Sequence, residues 1–310
     1  MESFDTYILR RIYRKAARLG DKLAKEEKQI DWERFRPIIK SLYHNDTPRG
    51  GRPNTDEVVM VKLLVLQQWY GLSDMELERQ ASTRIDFMNF LGFPEQPPDY
   101  STVWQTRERL SETGIDRMVW TELQRQLDLK GLRVRKGVAQ DASFIEADPG
   151  PSNKPRGEEA ATRRSRDGDW AKRRGGSTFG YKLHVKADLD HGLVRELEAT
   201  TASVHDSSVD LSRPGEVVYR DRGYFGVEPR GWDATMRRAV RGHPLSVWDR
   251  LRNGRIGSKR RPVERVFAVL KRGLWCGWVC VTTLGRVRVK MVFSCFCFNL
   301  VQLGSLGLGS

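Results

Sequence analysis

Residues Arg260 to Arg272 read R-R-P-V-E-R-V-F-A-V-L-K-R, with the single carboxylate of Glu264 among five basic side chains. Apolar residues recur at helical spacing and predict one face of a helix that packs on a core. That face comprises Val263, Val266, Phe267, Leu270 and Leu274. Arg260, Glu264 and Lys271 fall on a second stripe, about 100° round the same helix. Glu264 is therefore either a solvated ion-pairing residue or a metal ligand flanked by phosphate-binding cations.

The composition of the chain favours a polyanionic partner. Its 310 residues suffice for two domains, and 54 Lys and Arg against 40 Asp and Glu give a net charge of +14. A basic excess of this size is typical of proteins that bind nucleic acid. The arginine guanidinium group can donate two hydrogen bonds to phosphate oxygens at once. A basic protein without such a partner is the alternative.

Cysteine usage and hydropathy indicate an intracellular protein without a membrane span. The four cysteines have spacings that do not match zinc sites, so we expect buried free thiols; they are Cys276, Cys280, Cys295 and Cys297. The N-terminus lacks an apolar signal segment. The longest apolar run, Met291 to Leu303, is too short to cross a bilayer.

The first part of the chain reads as helical. Residues 1–44 predict a charged helical arm, and 45–132 predict a domain of short capped helices that begins with a turn-rich linker. Thr55 and Ser101 are the expected N-caps of two of these helices. The succession is typical of a helix-turn-helix DNA-binding domain, and a packing or dimerisation domain is the alternative. The expected reading helix is 101–110, whose outward residues are predicted to be Gln105, Arg107 and Arg109.

Strand patterns begin after residue 132. The expected strands are Val134–Ala147, Phe179–Leu189, Leu193–Thr201, Glu216–Arg220 and Thr235–Val240, with a short helix over Asp206–Leu211. The second and third strands predict a hairpin. Asp141 lies inside the first strand, where Asp is disfavoured, so a buried Asp141 must be paired or bound to metal. Asp221 follows the fourth strand directly, at the end where α/β sheets place functional groups.

A polar insertion separates the first two of these strands. Residues 151–176 hold eight basic and four acidic side chains. The segment is predicted to be either a loop that becomes ordered on DNA or a solvated insertion.

Three carboxylates on separate elements, Asp141, Asp221 and Glu264, can converge at one edge of this sheet. Close carboxylates repel one another and need cations, and Mg²⁺ takes oxygen ligands of this kind. Two such ions can activate a water or a 3′-hydroxyl and stabilise the leaving oxygen in phosphodiester exchange. The basic surroundings would hold the DNA backbone.

The same residues carry a family resemblance. V-A-Q-D-A-S (138–143), V-V-Y-R-D-R-G-Y (217–224) and R-x3-E-x6-K, formed by Arg260, Glu264 and Lys271, resemble the acid motifs of IS5-type transposases of the DDE superfamily. F-G-Y-K-L-H-V (179–185), A-S-V-H-D-S (202–207) and F-N-L-V-Q-L (298–303) resemble segments between and after those motifs. The chain departs from the family signature at Gly257, where the family has tyrosine.

The resemblance implies an RNase H-like mixed-sheet catalytic domain over 133–303, followed by a tail at 304–310. It implies two Mg²⁺ or Mn²⁺ ions bound by Asp141, Asp221 and Glu264. The implied reaction is nicking at terminal inverted repeats followed by attack of the 3′-OH on target DNA. Arg260 and Lys271 would contact DNA near the scissile phosphate, with Arg261 and Arg265 beside them. Synapsis of two ends implies at least a homodimer, acting in the prokaryotic cytoplasm at the nucleoid.

Two other functions stay open on the residues alone: a metal-dependent nuclease of the same fold, and a catalytically inactive DNA-binding protein. His184 and His205 are expected to be structural, and Asp206 is expected to begin a helix rather than bind metal. Trp275 and Trp278 are expected in the core.

Overall fold

The computed structural model describes residues 4–43, 54–150, 166–173 and 175–307. Its chain divides into two compact units. One unit comprises Met1–Lys130 together with Val292–Ser310, and the other comprises Gly131–Met291. The domain limits 133–303 stay a prediction. In the structure the second half of the last helix is buried almost throughout and is grouped with the helical unit.

The helical unit contains short helices that follow one another closely. They are α1 (Phe4–Ala16), α2 (Lys22–Glu27), α3 (Arg36–Lys40), α4 (Glu57–Tyr70), α5 (Asp74–Thr83), α6 (Ile85–Phe90), α7 (Tyr100–Thr113) and α8 (Asp116–Leu129). Helix α10 (Leu284–Ser305) contributes its residues from Val292 onward. The expected linker at 45–53 lies outside the described residues.

Two predicted N-caps are wrong by one or two residues. Asp56, not Thr55, caps α4, and its carboxylate accepts hydrogen bonds from the Val58 and Val59 amides at 2.9 and 3.0 Å. Asp99, not Ser101, caps α7 through the Thr102 amide at 2.7 Å. In both places a nearby aspartate, whose charge also favours the helix N-terminus, takes the position.

The core of the helical unit is built on α4 and an aromatic cluster. The Trp32 ring lies 5.4 Å from Phe90 and 6.0 Å from Phe296, centroid to centroid. Lys62 is buried beside these rings, and its ammonium group donates to the Phe90 carbonyl at 2.7 Å and to the Glu27 carboxylate at 2.5 Å. The buried charge is therefore paired, as a low-dielectric core requires.

The second unit is built on a mixed sheet. Its strands are β1 (Val138–Ala147), β2 (Asp169–Arg173), β3 (Gly176–Asp188), β4 (Val194–Thr201), β5 (Val217–Arg220), β6 (Trp232–Thr235) and β7 (Trp278–Val279). Strand β1 is central, because it pairs antiparallel with β3 and parallel with β5, and β6 extends the sheet parallel to β5. Strand β4 completes the predicted antiparallel hairpin with β3.

Three sequence-based assignments in this unit need correction. Part of the 151–176 insertion is strand β2, which pairs with Gly176–Gly180; residues 151–165 and 174 lie outside the described residues. The strand predicted over Thr235–Val240 is instead β6, Trp232–Thr235, whose register with β5 ends at the pair Arg220 and Thr235. The predicted helix over Asp206–Leu211 is a single 3₁₀ turn, Asp206–Ser208.

Helix α9 (Val247–Gly273) begins well before the stretch that predicted it. Ser246 and Asp249 form a capping box at its start, and Pro262 lies inside it. The predicted apolar face is confirmed, since Val263, Val266, Phe267, Leu270 and Leu274 are all buried. The helix packs on β1, β3 and β5 and so carries its polar stripe to the sheet.

The chain thus has a helical N-terminal region followed by a mixed-sheet domain with a long helix on it, which confirms the predicted order of a helical domain and a mixed-sheet domain. Within the described residues, α10 is the helix long and apolar enough to span a membrane, and 78% of its most apolar stretch is buried inside the protein. That burial is typical of a core helix.

Candidate active site

Asp141 and Asp221 are brought together by the pairing of β1 with β5. The register pairs Val138 with Val218 and Ala139 with Tyr219. The pairing ends two residues before each acid, and Asp141 and Asp221 are close enough for the charge of Asp221 to act on Asp141. Paired strands lie about 4.8 Å apart, so the two carboxylates share one end of the central strands. The sequence predicted Asp141 within one strand and Asp221 directly after another. The sheet topology shows that these two strands, β1 and β5, are adjacent.

Asp141 is held by the helix that packs over it. Its side chain is 22% exposed, and its Oδ2 accepts a hydrogen bond from Arg260 Nη2 at 2.6 Å. Its Oδ1 accepts the Ala142 amide at 2.9 Å. Burial raises the pKa of Asp141 to about 6; the Arg260 charge and the Ala142 amide oppose this shift, and the charges of Asp221 and Asp206 add to it. The raised pKa of Asp141 thus follows mainly from its burial, and the nearby acids add only smaller contributions.

Asp221 caps the 3₁₀ turn Arg222–Tyr224 that follows β5. Its Oδ1 accepts the Gly223 amide at 2.8 Å. A side chain at Gly223 would place its Cβ 3.0 Å from that oxygen, so glycine lets the turn close tightly on the carboxylate. The turn therefore fixes where the second acid points.

Glu264 lies on α9 one turn beyond Arg260, about 6 Å further along the helix axis, and is exposed. Within the described part of the chain, no group of three or more His, Cys, Asp or Glu side chains is arranged to hold a metal ion. The structure thus brings Asp141 and Asp221 together and leaves Glu264 on the adjacent turn of the covering helix.

The predicted DNA-binding residues of α9 divide into two groups. Arg260 is 7% exposed and is tied to Asp141, so its guanidinium belongs to the site rather than to an open surface. Arg261, Arg265 and Lys271 are exposed along the same helix. Their positions suit contact with a phosphate backbone.

The predicted reading helix presents fewer free groups than expected. Gln105 is exposed, as predicted. Arg107 is not directed freely outward, because its guanidinium makes two hydrogen bonds to Asp74, at 2.6 and 2.7 Å, and one to Gln67 at 2.6 Å. The Arg109 guanidinium lies 5.5 Å from the centre of the Tyr43 ring. Arg107 therefore ties α7 to α4 and α5, a role that helical spacing alone did not reveal.

The two histidines differ in burial. His184 is fully buried and its Nε2 lies 2.9 Å from Thr200 Oγ1. Burial lowers the pKa of His184 to about 4, so the ring is neutral. His205 is exposed and precedes the Asp206 turn, where its Nδ1 accepts the Ser207 amide.

Gly257, at the signature tyrosine position, faces the side chain of Met236. A Cβ at this position would lie 3.3 Å from the Met236 methyl group. Met236 thus fills the space beside the helix where a larger residue would begin.

Several sequence-based expectations about burial are wrong. Trp275 and Trp278 are about half exposed rather than in the core, because Trp275 adopts a positive φ of 56° after α9 ends and β7 is a short edge strand. Cys280 is exposed, whereas the other three cysteines are buried, and all four are free thiols. Burial of these residues was predicted from their apolar neighbours in the sequence, and those neighbours do not indicate that the residues follow the end of the helix.

The site also contains two residues that sequence reasoning did not assign to it. Lys182 Nζ lies 2.8 Å from Asp206 Oδ1, and the buried Tyr224 follows Asp221 on its turn. Burial raises the pKa of Tyr224, and the charges of Asp141, Asp206 and Asp221 raise it further. The available signal in the sequence for this part of the site was the segment V-H-D, which ends in Asp206. Asp206 has the features of a residue that begins a helix, so the segment did not indicate a site.

The Asp141→Asn variant is expected to be more stable than the wild type without metal, and increasingly so as the pH rises. Because the folded pKa of Asp141, about 6, exceeds its ordinary value of 3.8, folding favours its protonated form. This stabilisation is complete below about pH 4 and is lost as the pH rises through 6, a loss of about 3 kcal/mol. Urea unfolding of both proteins at pH 4, 5, 6 and 7 in EDTA measures the difference. A difference that stays constant across this range would contradict the assignment.

Comparisons with known proteins find transposase families over two parts of the chain. Residues 11–109 match the family model described as "Transposase domain (DUF772)", and residues 133–300 match "Transposase DDE domain". A solved structure, the cryo-EM structure of the piggyBac transposase synaptic complex with hairpin DNA, aligns over 88% of this chain and 72% of that one, with 11% identity and a TM-score of 0.39. Since the DDE model alone covers more than half of the chain, and the two models together cover both its helical region and its sheet, this chain belongs to the DDE transposases of insertion sequences.

Proposed function

We propose that this protein is an IS5-type transposase that binds the terminal inverted repeats of its element, nicks the DNA there and joins the freed 3′-OH to target DNA. The observation that carries the proposal is the juxtaposition of Asp141 and Asp221 by the β1–β5 register, beneath a helix that supplies Arg260 and Glu264. Carboxylates on separate elements beside cations match the chemistry that phosphodiester exchange requires.

The donor set fits a divalent cation. Asp141 and Asp221 offer carboxylate oxygens close enough for their charges to interact, and hard divalent cations take ligands of this kind. Asp141, Asp221 and Glu264 would hold two Mg²⁺ or Mn²⁺ ions. When bound, such ions lower the pKa of an attacking water or 3′-hydroxyl and offset charge on the phosphate.

The residues of the chain prepare this chemistry. Arg260 fixes the Asp141 carboxylate, and its guanidinium is close enough to the site to pair with a phosphate oxygen once Asp141 is otherwise engaged. The Gly223 amide holds Asp221 in one orientation. Exposed Arg261, Arg265 and Lys271 bind the backbone on either side of the scissile bond.

DNA recognition is assigned to the helical unit, with Gln105 and Arg109 of α7 as the residues that reach the DNA. Arg107 supports α7 from behind through Asp74. Two ends must be held for coordinated joining, so a homodimer or larger assembly forms on the DNA. The reaction takes place in the prokaryotic cytoplasm, at the nucleoid.

The test uses the inverted repeats that flank this reading frame in its genome. Duplexes carrying a repeat are incubated with the protein and Mg²⁺, and a second reaction uses a pre-nicked end with a plasmid target. We expect 3′-ends released at the repeat boundary and joined plasmid products. Cleavage without joining would indicate a nuclease of this fold, and specific binding without Mg²⁺-dependent cleavage would indicate an inactive DNA-binding protein.

A further inference from the structure

A third aspartate is placed beside the two acids by the packing of two turns. Asp206 begins the 3₁₀ turn Asp206–Ser208 after β4, and this turn contacts the turn Arg222–Tyr224 that Asp221 caps. The Asp206 side chain is 38% exposed as a whole, while its Oδ1 atom, which faces Lys182, is buried. It lies next to the site although it is neither on the sheet nor on α9.

The Asp206 carboxylate is paired with a lysine from the neighbouring strand. Lys182 of β3 places its Nζ 2.8 Å from Asp206 Oδ1 and donates to the Val204 carbonyl at 2.7 Å. The lysine side chain is 17% exposed. The pair repeats the arrangement of Asp141 with Arg260: each acid is met by one cation from an adjacent element.

A buried hydroxyl lies among these acids. Tyr224 is 1% exposed, and within the part of the chain that the structure describes its hydroxyl has no hydrogen-bond partner. Gln140 is close to it, but the Gln140 amide is used by the Val209 carbonyl and the Leu211 amide. Asp141, Asp206 and Asp221 all act on this hydroxyl electrostatically. The three carboxylates therefore lie near enough to the same buried group to share one electrostatic environment.

We propose that Asp206 and Lys182 tune the divalent-cation affinity of the transposase site in opposite directions, Asp206 raising it and Lys182 lowering it. The inference rests on the proposed function, since it assumes that Asp141 and Asp221 bind the cation. Asp206 acts through its charge on the bound ion and is a positioning residue. Lys182 pairs with Asp206 and adds a positive charge beside it, so it opposes cation binding.

The competing interpretation is a salt bridge that only holds the β4–β5 connection against β3. That role predicts the same sign for both partners, because loss of either one loosens the same contact. An electrostatic role predicts opposite signs. The signs of the two effects, rather than their sizes, therefore separate the interpretations.

The experiment is a Mn²⁺ titration of the full chain followed by the electron paramagnetic resonance signal of free Mn²⁺, with no DNA present. We expect Asp206→Asn to weaken binding and Lys182→Met to tighten it, each on the order of five- to tenfold from a unit charge near a divalent ion. Glu228→Gln, which removes an exposed carboxylate from the same unit, is the matched control and leaves the affinity unchanged. Lys182→Gln keeps a donor for the Val204 carbonyl and is expected to give the same sign as Lys182→Met.

The outcomes distinguish this inference from the function beneath it. If Asp141→Asn abolishes Mn²⁺ binding while Asp206→Asn behaves like Glu228→Gln, the inference is wrong and the metal site stands. If both members of the pair weaken binding, their role is structural and the inference is again wrong. If Asp141→Asn binds Mn²⁺ as the wild type does, the proposed metal site itself is wrong, and the inference falls with it.

Discussion

Asp221→Ala is expected to reduce Mg²⁺-dependent cleavage of terminal-repeat DNA by at least about a thousandfold. Loss of one carboxylate from a metal-dependent site removes both a ligand and the charge that attracts the cation, and electrostatic contributions of this kind are about 4 kcal/mol or more. Asp221 caps its own turn through the Gly223 amide, so alanine also frees the backbone there. Gel analysis of end-labelled repeat DNA measures the rate.

Two controls make this result interpretable. Asp221→Asn keeps the side-chain oxygen that accepts the Gly223 amide and removes the charge, so it is expected to be as inactive as alanine while unfolding like the wild type. Glu228→Gln removes an exposed carboxylate nearby in sequence and is expected to cleave normally. Undiminished cleavage by Asp221→Ala would refute the assignment of the second acid.

Arg260→Ala is expected to lower cleavage by about a hundredfold and to reduce stability at pH 7 by about 2 kcal/mol. The substitution leaves the half-buried Asp141 carboxylate without its cation, and unpaired buried charges are costly. The stability loss is expected to shrink below pH 6, because Asp141 is then protonated and no longer needs the partner. Urea unfolding at pH 5 and pH 7 and the cleavage assay at pH 7 measure the two effects.

Arg260→Lys separates charge from geometry. Lysine keeps the positive charge but lacks the planar guanidinium group. Compared with Arg260→Ala, we therefore expect Arg260→Lys to recover most of the stability and only part of the cleavage activity. Equal stability loss at both pH values would show that Arg260 contributes through packing rather than through Asp141.

Helix α9 shows how far sequence reasoning reached. The apolar spacing from Val263 to Leu274 correctly predicted which face is buried, because a 3.6-residue period reports burial directly. The helix began thirteen residues before Arg260, since a capping box at Ser246 starts it and neither Gly257 nor Pro262 ends it. Local propensity penalises both residues in a helix, and packing on the sheet overrides that penalty.

For the candidate site, the sequence predicted less than it did for helix α9. The sequence supplied Asp141, Asp221 and their order along the chain, and motif resemblance predicted a DDE transposase, which the domain match later showed. The sequence did not predict the ion-pair partners. In the structure Arg260 pairs with Asp141, Arg107 pairs with Asp74, and Lys182 pairs with Asp206. Each is a contact between residues at least 24 positions apart in the chain, and such contacts follow from which elements pack together.

The sequence by itself thus determined the fold class, the basic character and the carboxylates from which a catalytic centre can be built. These properties depend on residue type and on the periodicity of apolar residues, which can be recognised in the sequence without knowing the tertiary contacts. Only the tertiary structure decided which of those charges are neighbours. The β1–β5 register sets Asp141 beside Asp221, and two packed turns bring Asp206 to the same place, because charge interactions depend on distance in space and not along the chain.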